Sequence, residues 1–186
     1  MTPFCFEHVF RAPSVEAVFE AYFDAQHQKE QDRRLDIAER VVLELEDTAE
    51  ELRRVTRVVP RRQLPIYLRP FVPGQLHYVE HLRWRRADHA IELEIRPSIL
   101  KGRAVISAVY RLSQLSTDAI QRRYSGTVSV DVALIAAKIE RGIVAEFERS
   151  MPIAAACTQE WLDIHHVMVS ARTDLNNGKP SGIISS

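Results

Sequence analysis

The first hydrophobic pattern in the chain has a period of two. Phe4, Phe6, His8 and Phe10 alternate with Cys5, Glu7 and Val9, as a strand does when one face is buried. Pro13-Ser14 then changes the period. Val15, Val18, Phe19, Tyr22 and Phe23 fall at helical spacing, Ser14 stands where an N-cap oxygen accepts from the first turn, and Glu16 and Glu20 suit the positive helix end. The pattern breaks near Asp24, and the polar stretch 26–33 predicts a second short helical turn.

From Leu35 the period returns to two. Leu35, Ile37, Glu39, Val41, Leu43 and Leu45 share one face, with Asp36, Arg40, Glu44 and Glu46 on the other. Asp47-Thr48-Ala49-Glu50 turns the chain into a second strand over 52–59, which Pro60 closes because it supplies no ladder donor. Four further segments, 76–86, 89–96, 103–112 and 120–132, alternate in the same way and are separated by turn residues such as Pro97-Ser98 and Lys101-Gly102. They predict an antiparallel meander. After Val132 the spacing is helical again, with Ile135, Ile139, Ile143, Phe147, Met151 and Ala154 on one stripe. Pro152 should kink this helix or remove one backbone bond. A helix over 134–165 spans about 48 Å and an 11-residue strand about 36 Å, so one helix is long enough to cover the sheet. The reading is one domain over 1–168 and a turn-rich, flexible tail over 169–186, where Asn176-Asn177-Gly178 and Pro180-Ser181-Gly182 fall.

Composition narrows the partners. With 186 residues and 46% hydrophobic content the chain can bury a core. Lys+Arg and Asp+Glu total 25 each, so no global field draws nucleic acid or an acidic membrane. The arginine groups at 53–54, 61–62 and 83–86 sit among acidic neighbours, and no nucleic-acid partner is expected. Cys5 and Cys157 make no disulfide framework and no CxxC, and there is no signal-like leader, so a cytoplasmic location is expected. No cofactor is expected either, since GxGxxG, P-loop and GxSxG patterns are absent. His77 and His81, four apart on a strand, stand about 13 Å apart and share no metal. His165-His166 reads as a solvated pair, and Cys157 as a small buried hydrophobe.

One strand, two short helices, six strands and a long helix close as an α+β helix-grip fold, a curved antiparallel sheet of about seven strands around the C-terminal helix. This order, with Tyr78-Val79-Glu80-His81-Leu82-Arg83-Trp84 and Lys138-Ile139-Glu140-Arg141-Gly142-Ile143, resembles the START-like superfamily of the major birch pollen allergen, polyketide cyclases and lipid-transfer domains. More narrowly it is similar to a bacterial subgroup without an assigned function. The resemblance covers residues 1–165, contains no catalytic signature, and implies a cavity between sheet and helix. In relatives that cavity holds lipids, sterols, polyketides or other apolar molecules.

Alternation puts Tyr78, Glu80 and Trp84, Tyr110, and Tyr124 on the inward face, opposite Ile139, Ile143 and Phe147 of the helix; with Glu39 they are the candidate ligand contacts. Small residues at Ala104, Ala108 and Gly126, and at Ala136, Ala137, Ala145 and Ala154, leave volume there unless Trp84, Tyr110 and Phe147 fill it. Glu39 and Glu80 are inward carboxylates, which need a partner or a raised pKa. Glu80 either anchors a ligand's polar end with Tyr78, Tyr110 or Tyr124, or serves as a general acid/base. Otherwise it pairs with an arginine such as Arg111, lies at the rim, or is turned out by a bulge. The segment 61–74 is unusually apolar for a connection: Ile66, Tyr67, Leu68 and Phe71 form a gate, a transient contact with membrane or protein, or a packed satellite cluster. The leading expectation is non-catalytic binding or transport of a hydrophobic small molecule. The alternatives are a protein-interaction module docking through 63–73 and a cyclase-like or hydrolytic enzyme using Glu80 or Glu39.

Overall fold

A computed structural model describes the backbone of residues 1–61, 74–132 and 134–177, and the side chains of these other than 101 and 166–177. In chain order the elements are β1 (Thr2–Arg11), α1 (Val15–Phe23), α2 (Ala25–Arg34), β2 (Ile37–Asp47), β3 (Glu51–Pro60), β4 (Tyr78–Arg85) and β5 (Ala90–Pro97). A 3-10 turn (Ile99–Gly102), β6 (Ala104–Ser116), β7 (Ala119–Val130) and α3 (Ala136–Asn177) follow. The seven strands make one antiparallel sheet in the order β1-β7-β6-β5-β4-β3-β2. Consecutive strands from β2 onward are neighbours, whereas β1 lies at the far edge beside β7. The connection from β1 to β2 must therefore cross the whole sheet, and α1 and α2 are what carries it.

Local chemistry explains how that crossing is made. Ser14 Oγ accepts from the Ala17 amide at 3.3 Å and starts α1. Asp24 ends α1 and, by accepting from the His27 amide at 2.7 Å, starts α2, which is why the pattern breaks there. Asp36 leaves α2 in the left-handed region at φ 57°, which an aspartate tolerates better than most residues.

The long helix departs from expectation in two ways. It packs on β1, β7, α1 and α2, towards one edge of the sheet. The middle strands receive α1 instead: Phe19 and Phe23 stack on Trp84 with ring centroids 4.7 and 5.0 Å apart, and Tyr22 meets Tyr110 at 5.0 Å. The helix also runs to Asn177, beyond 165, with Pro152 inside it supplying no backbone donor. Residues 178–186, and the gate residues Ile66, Tyr67, Leu68 and Phe71, lie outside the described residues.

A buried histidine joins α2 to α3. His27 is 4% exposed, and its Nε2 lies 3.2 Å from Thr158 Oγ1. Because the Thr158 hydroxyl donates to the Ala154 carbonyl at 3.0 Å, it accepts from His27 Nε2–H, and Nδ1 is left without a partner. Burial lowers the His27 pKa, more than the nearby Asp24 carboxylate raises it, and Arg34 adds to the lowering. Protonation is thus easier in the unfolded chain, so stability should decline as pH falls below about 6.5, the ordinary histidine value. Urea unfolding at pH 7.5 and 5.5 tests this: His27→Gln should show a smaller pH dependence than the wild type, and an equal one would remove His27 as its source.

Candidate functional site

The inner face is incompletely closed at β4. Glu80 is paired with Thr56 on one side and Ile95 on the other. Thr56 and Ile95 are 1% and 8% exposed, yet Glu80 and Tyr78 are only half-buried. Their accessible surface lies on the inner face of a strand whose neighbours are closed at these positions. Tyr22 and Phe23 of α1, and Ile143, Phe147 and Met151 of α3, are likewise half-buried while packing on the core. These residues outline a recess between the middle strands, α1 and α3.

Its walls are aromatic and unusually charged. Four side chains on the inner face carry ionisable groups that reach it: Arg40, Arg54, Glu80 and Arg122. Arg40 is paired with Asp32 of α2, its Nε 2.9 and 3.0 Å from the two carboxylate oxygens and its Nη2 2.8 Å from Oδ1. Arg54 lies beneath the Phe23 ring at 5.7 Å, 8% exposed, and its Nε has no partner. The neighbouring inward residue, Thr56, also has a buried hydroxyl without a partner. Arg122 is held deeper, its Nη2 donating to His8 Nδ1 at 2.6 Å and the Met151 carbonyl at 3.4 Å, with the Phe10 and Tyr110 rings beside it. Among the described residues neither Arg54, Arg122 nor Glu80 forms an ion pair within 4 Å.

Electrostatics fixes the state of the phenols. Burial pushes the Tyr22, Tyr78 and Tyr124 hydroxyls well above the ordinary value, and the negative charge of Glu80 pushes each further. Tyr110 is pushed up to about 12 by burial, against the pull of Arg122. All four stay neutral donors at physiological pH, so they can orient an acceptor but not trade protons with it near neutrality. Burial also lowers the Arg122 pKa, partly offset by Tyr110.

The sequence-predicted contacts divide. Tyr78 and Glu80 line the recess. Trp84 and Tyr110 form its wall by seating α1, and Tyr124 and Phe147 form another by packing with Phe4 at 5.4 and 5.2 Å. Ile143 bridges this core and a smaller cluster of Ile99, Leu100, Ala104, Val130 and Ile139, in which Ile139 is closed off at 1% exposure. Glu39 is corrected. A bulge between Ile37 and Glu39 reverses the parity of β2, so Glu39 faces outward and pairs with Arg57 at 3.0 Å, while Arg40 turns inward. Arg111 is on the outer face, opposite in parity to Tyr110, and is no partner for Glu80. Ala137 and Ala145 are exposed and face away from the sheet.

Arg54, Thr56, Arg122 and Tyr22 were not singled out from the sequence. Their signal was present, since Arg54 and Thr56 are in phase with Leu52 and Val58, and Arg122 with Ile120 and Tyr124. On the opposite face of the sheet an open trough of about 780 Å3 is lined by residues such as Arg53, His81, Arg83, Glu94 and Ser107. Arg53 and Arg83 there are both paired with Glu51, so no cation is left over for a ligand at that end. No group of three His, Cys, Asp or Glu side chains among the described residues is placed to hold a metal ion, and no described helix is long and apolar enough to cross a membrane.

Comparison with known proteins agrees with this architecture. A family model described as "Protein of unknown function (DUF2505)" matches residues 6–162. No curated protein sequence matches the chain. Among solved structures, the protein TTHA0849 from Thermus thermophilus superposes with a TM-score of 0.61 at 10% identity, covering 88% of this chain and 98% of its own. The Zhui aromatase/cyclase from Streptomyces sp. R1128 gives 0.59 at 10% identity, covering 87% and 93%. A START superfamily protein from Mycobacterium smegmatis gives 0.56 at 10% identity, covering 88% and 98%. At such identities the likeness establishes the fold.

Proposed function

The chain belongs to the DUF2505 family and carries the START-like helix-grip fold, and we propose that it is a binder or carrier of a largely apolar small molecule, held in the recess between the middle strands, α1 and α3. The observation that supports this reading most is the half-exposure of Tyr78 and Glu80 on a strand whose two neighbours are closed. A core residue normally packs at crystal density; accessible surface at these two positions, among aromatic rings and a few polar groups, is what a small-molecule site would leave. The ligand would lie against Tyr78, Tyr22, Phe23, Ile143 and Phe147, and the four neutral phenols would supply its hydrogen bonds.

A cyclase-like activity is the rival reading, because the Zhui aromatase/cyclase shares the fold. It would rest on Glu80 alone, since the elevated tyrosine pKa values remove the phenols as proton carriers near neutrality. Mass spectrometry decides between bound and empty: the protein purified from its native host, intact under non-denaturing conditions, should carry a stoichiometric mass that organic extraction releases. A clean apo mass, together with no binding of lipid or polyaromatic probes, would overturn the binder reading.

A further inference from the structure

The recess carries one positive charge too many. Arg40, Arg54 and Arg122 reach it from the sheet, and among the described residues Asp32 and Glu80 are the carboxylates that answer them. Asp32 is used by Arg40. His8 adds no charge of its own, because burial and then Arg122 lower its pKa. Glu80 acts on Tyr22, Tyr78, Tyr124 and Arg40 through space but contacts no arginine within 4 Å. A buried cation without a partner is costly, and natural proteins keep one where something else neutralises it.

The position of the unmet groups is specific. Arg54 and Thr56 are consecutive inward residues of β3, 8% and 1% exposed, and each has a polar atom with no hydrogen-bond partner. Both flank the Glu80 position, Thr56 directly and Arg54 diagonally. The Arg54 guanidinium, beneath the Phe23 ring, and the Thr56 hydroxyl are therefore two unpaired donors on consecutive inward positions of one strand. Buried polar atoms are rarely left unpaired, and this pair lies at the edge of the proposed binding recess.

Building on the binder reading, we infer that the ligand is an acid: an oxyanion such as a carboxylate, on an apolar body, seated on Arg54 with the Thr56 hydroxyl donating to it. Its charge cancels the excess positive charge of the recess, and its body extends towards Tyr78, Ile143 and Phe147. Arg122 Nε is also without a partner, but its Nη2 donates to His8 and the Met151 carbonyl, and Arg122 ties β7 to α3 instead of seating the ligand. A fatty acid and an aromatic carboxylic acid present the same head, and the test separates them.

Titration calorimetry at pH 7.5 with two matched pairs, dodecanoic acid against dodecanol and 2-naphthoic acid against 2-naphthol, reads the head group directly. At least one acid should bind tenfold or more tightly than its alcohol, and the pair that shows it identifies the body. Arg54→Met should abolish that preference while leaving the melting temperature of the ligand-free protein unchanged or raised, because a buried unpaired charge is removed. Thr56→Val, nearly isosteric, should fold normally and weaken acid binding severalfold. Equal affinity for acid and alcohol in the wild type would overturn the acidic head and leave the binder reading standing. No binding of any probe would overturn both. A preference that survives in Arg54→Met would remove Arg54 as the seat, and a lower melting temperature for that variant would show its guanidinium to be structural.

Discussion

Gly126→Ala should be the most damaging single methyl group that can be added to this sheet. Gly126 of β7 pairs with Ala108 of β6 and Phe4 of β1, so it is enclosed on both sides. A Cβ at this position would overlap the Ser107 carbonyl oxygen and come within 2.8 Å of Ala108 Cα, both backbone atoms that no rotamer change can move. Relief requires β6 and β7 to separate, breaking ladder bonds one strand in from the β1 edge of the sheet. Overpacking of a rigid site costs about 1 to 3 kcal/mol, and this clash with backbone belongs at the upper end. The comparison variant is Gly102→Ala. Gly102 has φ +82° and nothing within 4 Å of its would-be Cβ, so alanine there pays only the left-handed conformational penalty, about 1 to 2 kcal/mol. Urea denaturation of both should place Gly126→Ala well below Gly102→Ala, or show no cooperative transition for it at all. Equal midpoints would mean that β6 and β7 separate easily.

Gly126 also shows where reading residues one at a time stops. The alternation of Tyr124, Gly126 and Val128 correctly gives an inward position, and a glycine there reads as empty volume. What removes the volume is the approach of a second strand, which no local pattern reports. The same division runs through the fold. The strands, the meander of β2 to β7, the Ser14 cap and the break at Asp24 follow from period-two runs and from Pro, Ser and Asp positions, because those signals act within a few residues, whereas the pairing of β1 with β7 does not. Glu39 was misplaced because a β-bulge shifts parity by one, and Ile37-Ala38-Glu39 carries no glycine or proline to mark it. Once shifted, β2 exchanges an expected inward carboxylate for an inward Arg40, and the charge of the recess changes sign locally. The position of α3 was also beyond the helical stripe, since the stripe defines which side is apolar but not which strands it meets. The candidate site was half legible for the same reason: Tyr78 and Glu80 were found by alternation, while the importance of Arg54 and Thr56 appears only when their lack of partners is seen.

Glu140→Gln is the second large effect expected, at the start of α3. The carboxylate is 2% exposed, and it accepts from the Thr2 hydroxyl at 2.7 Å and the Val130 amide at 3.0 Å, with the Met1 amino group also at 3.0 Å. One side chain thus ties the helix to β1 and β7 where the grip begins. Burial alone would raise its pKa, but the hydrogen bonds from Thr2, the amino group and Val130 outweigh it and hold the carboxyl below the ordinary 4.5. Glutamine keeps the shape but turns one acceptor oxygen into a donor that faces donors, leaving buried polar groups unmet. The loss should be about 2 to 3 kcal/mol at pH 7. The sign with pH follows from the lowered pKa: the contribution of Glu140 is complete above about 4.5 and is lost as pH falls through its folded value. Urea unfolding of wild type and Glu140→Gln at pH 7, 5 and 3.5 should therefore give two curves that converge in acid. A gap that stays constant with pH would mean that the carboxylate's charge plays no part in holding the helix, and that shape alone anchors α3 to the edge of the sheet.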